Sequence, residues 1–196
     1  MQPRLTIISQ LLLLMMLMLS PMLGSSKGPS KQTAYSFEFT SIEGHPLPMK
    51  SFNGKAVLLV NTASRCGFTH QYNDLQAVWE RYRDRRLVVL GVPSNDFGNQ
   101  EPGMETEIKS FCGVNFDVDF PMTTKVSVKG KDAHPVYRWA AQKLGWTAKP
   151  RWNFHKYLIS PDGQLVDWFS TPTAPTSKRV LRAIEAQLPK TMGGAS

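Results

Sequence analysis

Two uninterrupted apolar runs, Ala56 to Val60 and Leu87 to Val92, flank a segment whose apolar residues recur at helical spacing. A half-exposed strand alternates apolar and polar residues, whereas runs like these need cover on both faces, as parallel strands have. Between them, Tyr72, Leu75, Trp79 and Tyr82 fall three or four residues apart and mark one stripe of a helix beginning at about His70. The three elements predict a single βαβ unit from Ala56 to Val92, with a right-handed connection.

Cys66 sits at the join between strand and helix. Asn61 to Arg65 form a polar turn, Gly67 and Phe68 redirect the chain, and Thr69 is a candidate helix cap. A thiol in that place feels the positive end of the helix dipole and unpaired backbone N–H groups, with Arg65 as neighbour, which are conditions that favour thiolate over thiol. Free cysteine is also among the most buried residue types, so the same placement is compatible with an inert core thiol.

The remaining elements add to this unit. Tyr35 to Thr40 alternates and predicts a strand, followed by a turn around Gly44 to Pro48. Pro93 to Gly103 is a polar, turn-rich loop after the carboxyl end of the second buried strand, the edge on which open α/β sheets build sites. Met104, Ile108, Phe111 and Cys112 outline a short helix closed by Gly113, with Cys112 on its apolar face. Lys125 to Val128 is strand-like. His134 and Pro135 start a helix with the stripe Tyr137, Ala140, Ala141 and Leu144, ended by Gly145. Phe154 to Ile159 and Leu165 to Phe169 form a hairpin around Pro161, Asp162 and Gly163, and Thr176 or Ser177 caps a last helix carrying Val180, Leu181, Ile184 and Leu188. The order βαβ, helix, ββ, helix is that of an α/β, thioredoxin-like fold in one domain, a central mixed sheet flanked by helices.

A chain of 196 residues with 41% hydrophobic content can bury one good core. Its first stretch is different in kind. Arg4 is the sole charge before Lys27, Leu11 to Leu19 is continuously apolar, and small residues follow at Gly24 to Ser26. That layout predicts a signal peptide over 1–26 and export to a periplasm or the secretory route, with an uncleaved anchor as the alternative because no clean A-x-A site is present. Residues 27–34 are a Ser, Lys, Gly and Pro rich lead-in expected to be disordered, 35–189 form the domain, and 190–196 a flexible tail. The formal charge of +8 is spread along the chain apart from Arg81 to Arg86, where cations complement a helix end, so nucleic acid is not an expected partner.

Two cysteines in an exported chain also allow a structural Cys66 to Cys112 bridge. His45, His70, His134 and His155 never approach each other or a cysteine at metal-site spacing, so no metal is expected.

Four blocks, NTASRCGFT around Cys66, NQEPG at Asn99 to Gly103, FCGVNFDVDFP at Phe111 to Pro121 and WNFHKYL at Trp152 to Leu158, occur in the order and at the spacing of the glutathione peroxidase family, which the chain resembles from about Tyr35 to Leu188. The resemblance implies a peroxidase with a catalytic tetrad at Cys66, Gln100, Trp152 and Asn153 and no cofactor. Cys112 matches the resolving cysteine of the family's thioredoxin-dependent, two-cysteine branch. Expected partners are therefore hydrogen peroxide or organic and lipid hydroperoxides, and a thioredoxin-like dithiol reductant or glutathione. A peroxide sensor or relay passing oxidation to a partner thiol is the alternative, and a disulfide-stapled binding module a third reading. A helix-borne, inward-facing Cys112 is expected to lie beyond the roughly 7 Å between Cα atoms that a disulfide with Cys66 spans, so the helix from Met104 to Cys112 is expected to unwind locally in each cycle. Three positions depart from the family: Ser94 stands for a frequent third cysteine, Asp96 for a usual glutamine and His70 for a frequent proline. A carboxylate at Asp96 facing the sulfur would oppose thiolate, and a charge on His70 would favour it. The short segment between Trp139 and Trp152 lacks the insertion that tetrameric relatives use, which implies a monomer with an open site.

Overall fold

The structure is a computed structural model that describes residues 32–189. The signal peptide, most of the lead-in and the tail expected from sequence lie outside the described residues. Ala34, assigned above to the lead-in, is buried and donates its N–H to Gly163 O.

A two-stranded antiparallel hairpin comes first, β1 (Glu38–Thr40) and β2 (Pro46–Pro48), followed by β3 (Ala56–Thr62), α1 (Gln71–Tyr82), β4 (Leu87–Pro93) and α2 (Glu105–Phe116). After these come α3 (Pro135–Leu144), β5 (Lys156–Ile159), β6 (Leu165–Phe169) and α4 (Lys178–Glu185). The main sheet has the order β4-β3-β5-β6, with β3 parallel to β4 and the other two pairs antiparallel. This is the thioredoxin-like α/β architecture.

All seven residues of β3 and all seven of β4 are buried, because both sheet faces carry cover. Ala56, Leu58, Val60, Leu87 and Val89 face a core shared with α1, α2 and α4, whereas Val57, Leu59, Val88 and Leu90 face one shared with α3 and the hairpin. The period of two in side-chain direction divides each apolar run between the two cores. Pro135 and its cap His134 start α3, and the Ser177 hydroxyl accepts the Val180 N–H at the start of α4.

Several local expectations give way to other arrangements: the last three residues of the turn placed at Gly44 to Pro48 form β2, and the first two of the polar turn placed at Asn61 to Arg65 end β3. The strand placed at Tyr35 to Thr40 is confined to Glu38–Thr40, since Ala34–Ser36 form a 3-10 turn. The Tyr35 ring lies against Gly163, where a Cβ would come within 2.9 Å of it, and Gly163 also has φ +80. Thr69 does not cap α1. Its Oγ1 accepts the Cys66 N–H and donates to Ala63 O, while i to i+3 bonds through residues 66–73 already occupy the first backbone donors of the helix.

Gly113 does not close α2, which continues to Phe116. Asp117 takes the left-handed position at φ 52, with Asp117 N–H to Gly113 O and Val118 N–H to Cys112 O, a left-handed closure made by one of the few side chains that tolerates that region. The stretch Lys125 to Val128 is not a strand. The Asp96 carboxylate accepts the Ser127 hydroxyl and the N–H groups of Val128 and Lys129, and Glu105 accepts that of Lys125, so these donors are withdrawn from any ladder.

Candidate active site

β3 and β4 end side by side at Thr62 and Pro93, and the antiparallel β5 begins beside them. Three segments therefore converge on one edge of the sheet: residues 63–70, 94–103 and 151–155. Backbone bonds join them, Ser94 N–H to Thr62 O and Arg65 N–H to Gln100 O, both at 3.0 Å.

Cys66 lies in the turn before α1 and is 8% exposed. Its sulfur accepts the Phe68 N–H at 3.4 Å. The helix expected from about His70 starts at Gln71, and Cys66 lies five residues ahead of it, so its sulfur meets a turn N–H rather than the first helical turn. Asp96 is held by residues 127–129, and His70 Nδ1 lies 3.1 Å from Gly67 O.

Gln100 and Asn153 are in direct contact, with Asn153 Nδ2 donating to Gln100 Oε1 at 2.9 Å and to Phe97 O at 3.5 Å. Each is set by a left-handed corner. Gly98 and Asn99, at φ 65 and 52, turn the chain before Gln100, and Phe154, at φ 60, turns it after Asn153. Left-handed backbone at a bulky aromatic costs on the order of 1–3 kcal/mol and persists where its surroundings over-determine it. Asn61 does so here. Its carbonyl accepts the Phe154 N–H at 2.6 Å, its side chain donates to Trp152 O at 3.1 Å, and its own N–H goes to His155 O at 3.2 Å.

Trp152 packs on Phe97 with ring centroids 5.9 Å apart and is 38% exposed, so its indole stands at the mouth of the site. It lines a groove of about 560 Å³ together with Phe68, Trp168 and Pro172. Lys149 and Arg151 also line the groove, and His155 presents a buried Nε2 that has no hydrogen-bond partner. Burial, with a smaller contribution from Lys156, lowers the His155 pKa to about 4, so this ring is neutral near pH 7.

Cys112 lies on α2 in the same buried cluster as Cys66, and both thiols are free. Burial pushes the Cys112 thiol up to about 11, with the nearby Glu101 adding to the shift and the Tyr72 hydroxyl opposing it. Near pH 7 that leaves roughly one thiolate in ten thousand. Glu101 is 1% exposed and its Oε2 has no partner. Burial raises its pKa against the pull of Ser64, Lys125 and Arg65. It lines a cavity of about 220 Å³ with Ser64, Arg65, Ile108 and Phe111, between the Cys66 turn and α2. Among the described residues no three His, Cys, Asp or Glu side chains gather as a metal site would require.

Sequence reasoning missed Asn61 and Glu101. Asn61, assigned above to the polar turn, is the next-to-last residue of β3, and a polar residue directly after a buried apolar run was the available signal for it. Nothing local distinguishes Glu101 from a solvated loop carboxylate.

The glutathione peroxidase family model matches residues 34–141. A glutathione peroxidase-like peroxiredoxin of Chlamydomonas reinhardtii is 45% identical over 145 residues, 73% of this chain and 90% of the relative. A hydroperoxy fatty acid reductase of Synechocystis is 41% identical over 154 residues, 74% and 91% of the two chains. Among solved structures, Trgpx in apo form superposes with TM-score 0.64 at 33% identity, covering 82% of this chain and 100% of the other. A thioredoxin-family thiol:disulfide interchange protein of Chlorobium tepidum, at TM-score 0.58 and 17% identity over 80% and 95%, shares the fold.

Proposed function

The chain belongs to the glutathione peroxidase family, and on that premise we propose that it is a thiol peroxidase reducing hydrogen peroxide and organic or lipid hydroperoxides through Cys66. The observation that carries this reading is the joining of the Cys66 turn to the contacting amides of Gln100 and Asn153, with Trp152 at the mouth.

The Cys66 thiolate attacks one peroxide oxygen, the O–O bond breaks, and sulfur is left as sulfenic acid while the second oxygen takes a proton and departs as water or alcohol. Charge builds on that leaving oxygen. Neutral N–H donors stabilise it without forming an ion pair that would hold the thiolate too firmly, which is the role of Gln100 and the Trp152 indole. The apolar groove beside Trp152 suits organic hydroperoxides, and its Lys149 and Arg151 suit an acidic group at the far end of one. The name of the Synechocystis relative supports the same class.

Cys112 then attacks the Cys66 sulfur. An S–S bond forms, the S–O bond breaks, and the oxygen leaves as water with the thiol proton. A dithiol protein of thioredoxin type, or glutathione, restores both thiols. A thiol pushed up to about 11 attacks slowly, so resolution requires the Cys112 turn of α2 to open. Ile108 and Cys112 are the buried residues of that helix, Gly113 lies within it and Val114 is 80% exposed, which makes its second half easy to release. The short segment between Trp139 and Trp152 supports a monomer, and the layout around Leu11 to Leu19 supports export.

Steady-state peroxide consumption with a thioredoxin system or glutathione, for wild type, Cys66→Ser and Cys112→Ser, tests the cycle. Cys66→Ser should be inactive and Cys112→Ser should lose the thioredoxin-driven rate. A wild type that turns over with neither donor moves the sensor reading to the front.

A further inference from the structure

Lys156 opens β5 and is fully buried, yet all three of its hydrogen-bond acceptors are neutral oxygens. Its Nζ donates to Gln71 Oε1 at 2.6 Å, to Thr173 O at 2.7 Å and to Thr171 O at 3.4 Å. Burial lowers its pKa to about 7, and as amine or ammonium a buried Nζ is costly unless its hydrogens are taken up, so these contacts hold the side chain and the side chain holds them. Gln71 is the first residue of α1, the helix that follows the Cys66 turn, and Thr171 and Thr173 lie in the segment after β6.

Thr171 carries the link onward. Its carbonyl also accepts Gln71 Nε2 at 2.7 Å, and its hydroxyl donates to Asn153 O at 2.7 Å, beside the left-handed corner at Phe154. Asn153 donates to Gln100, whose carbonyl takes the Arg65 N–H next to Cys66. A continuous path of hydrogen bonds therefore runs from Lys156 through Thr171, Asn153 and Gln100 to the Cys66 turn. A second runs from Lys156 through Gln71 to the helix behind that turn. Lys156 does not line the groove beside Trp152, and Thr171 lines it only by a 7% exposed edge while its hydroxyl is bonded to Asn153 O; neither hydrogen-bonds Cys66, so toward hydrogen peroxide both act through Asn153.

We propose that Lys156 is a positioning residue of the peroxidase site, clamping the start of α1 to Thr171 and Thr173 so that Thr171 fixes Asn153 and, through it, Gln100. This rests on the peroxidase reading above. The test mixes reduced wild type, Lys156→Met, Thr171→Val and the double variant with hydrogen peroxide. It reads the rate at which Cys66 becomes sulfenic acid, trapped with dimedone, alongside thermal melts. Thr171→Val keeps the side-chain shape and the ammonium's acceptors but removes the bond to Asn153, so it should slow oxidation about fivefold, the worth of one ordinary hydrogen bond. Lys156→Met should slow it about tenfold, and the double variant should do no worse than Lys156→Met, rather than reach the roughly fiftyfold product expected of independent sites. A purely structural Lys156 would lower the melting temperature without that coupling in the rate. A wild-type oxidation rate in Thr171→Val overturns the proposal, and so does a multiplicative double variant. If Lys156→Met fails to fold, Thr171→Val decides alone. If wild-type Cys66 itself is not oxidised, the peroxidase reading fails and this role falls with it.

Discussion

The Asn153 side chain gives its amide hydrogens to Gln100 Oε1 at 2.9 Å and to Phe97 O at 3.5 Å. That bond takes up the Gln100 carbonyl oxygen and leaves the Gln100 amide hydrogens to donate elsewhere, so Asn153 acts as the orienter and Gln100 as the available donor. The family resemblance names both amides as members of the tetrad without telling them apart.

Asn153→Asp reverses the polarity of this contact. A carboxylate in that place draws the Gln100 amide hydrogens toward itself and presents the Gln100 carbonyl oxygen to the site. Cys66 oxidation by hydrogen peroxide should slow about a hundredfold, as for loss of one stabilising donor, and Gln100→Leu should match it within a few fold. Stopped-flow oxidation rates check this, and a large inequality between the two variants would contradict the division of roles.

Burial of Cys112 separates the two thiols kinetically. With its pKa pushed up to about 11, Cys112 in the reduced protein should resist iodoacetamide at pH 8, while Cys66 is alkylated first. Both should react together in denaturant. Peptide mass spectrometry of time-quenched samples gives the order.

Opening of α2 should govern disulfide formation. A Cβ at Gly113 meets nothing within 4 Å, so Gly113→Ala is accommodated and strengthens the helix by roughly 0.5–1 kcal/mol. The variant should form the Cys66 to Cys112 disulfide about two to five times more slowly after peroxide addition, with an unchanged first oxidation step. Hydrogen exchange over residues 109–116 should rise on oxidation in wild type. Unchanged exchange there would sink the unwinding step.

His155 supplies a pH dependence whose sign is fixed. Its folded pKa, about 4, lies below the ordinary value of 6.5 because burial and the neighbouring Lys156 disfavour the charged ring. Between those two values the unfolded chain binds more protons, so stability is fully present above about pH 6.5 and is lost as pH falls toward 4, by roughly 3 kcal/mol at most. Urea melts from pH 7 to pH 4 should show this slope, and His155→Gln should flatten it.

The cations of the groove should act on substrate choice. Arg151→Ala is expected to raise KM severalfold for a hydroperoxide bearing a carboxylate and to leave hydrogen peroxide kinetics unchanged, since the small substrate does not span the groove. Equal effects on the two substrates would remove Arg151 from substrate binding.

Local pattern was enough for the parts of this protein whose causes are local. Continuous apolar runs gave β3 and β4 with cover on both faces. A three-and-four spacing gave α1, and Pro135 and Ser177 marked the starts of α3 and α4. Cys66 was legible because it sits at a strand-to-helix join. Where a side chain competes for backbone groups, local pattern misled: Asp96 withdrew donors from Lys125 to Val128, and Asp117 rather than Gly113 closed α2. What holds the site together was not legible from local pattern. Asn61 meets Trp152 across 91 residues of sequence, and Lys156 meets Gln71 across 85. A lysine in an apolar strand and a left-handed phenylalanine are each unfavourable where they stand, and no propensity predicts them. Tertiary structure supplies the distant acceptors and the Asn61 clamp that offset those costs, and with them the positions of Gln100, Trp152 and Asn153 at one edge of the sheet.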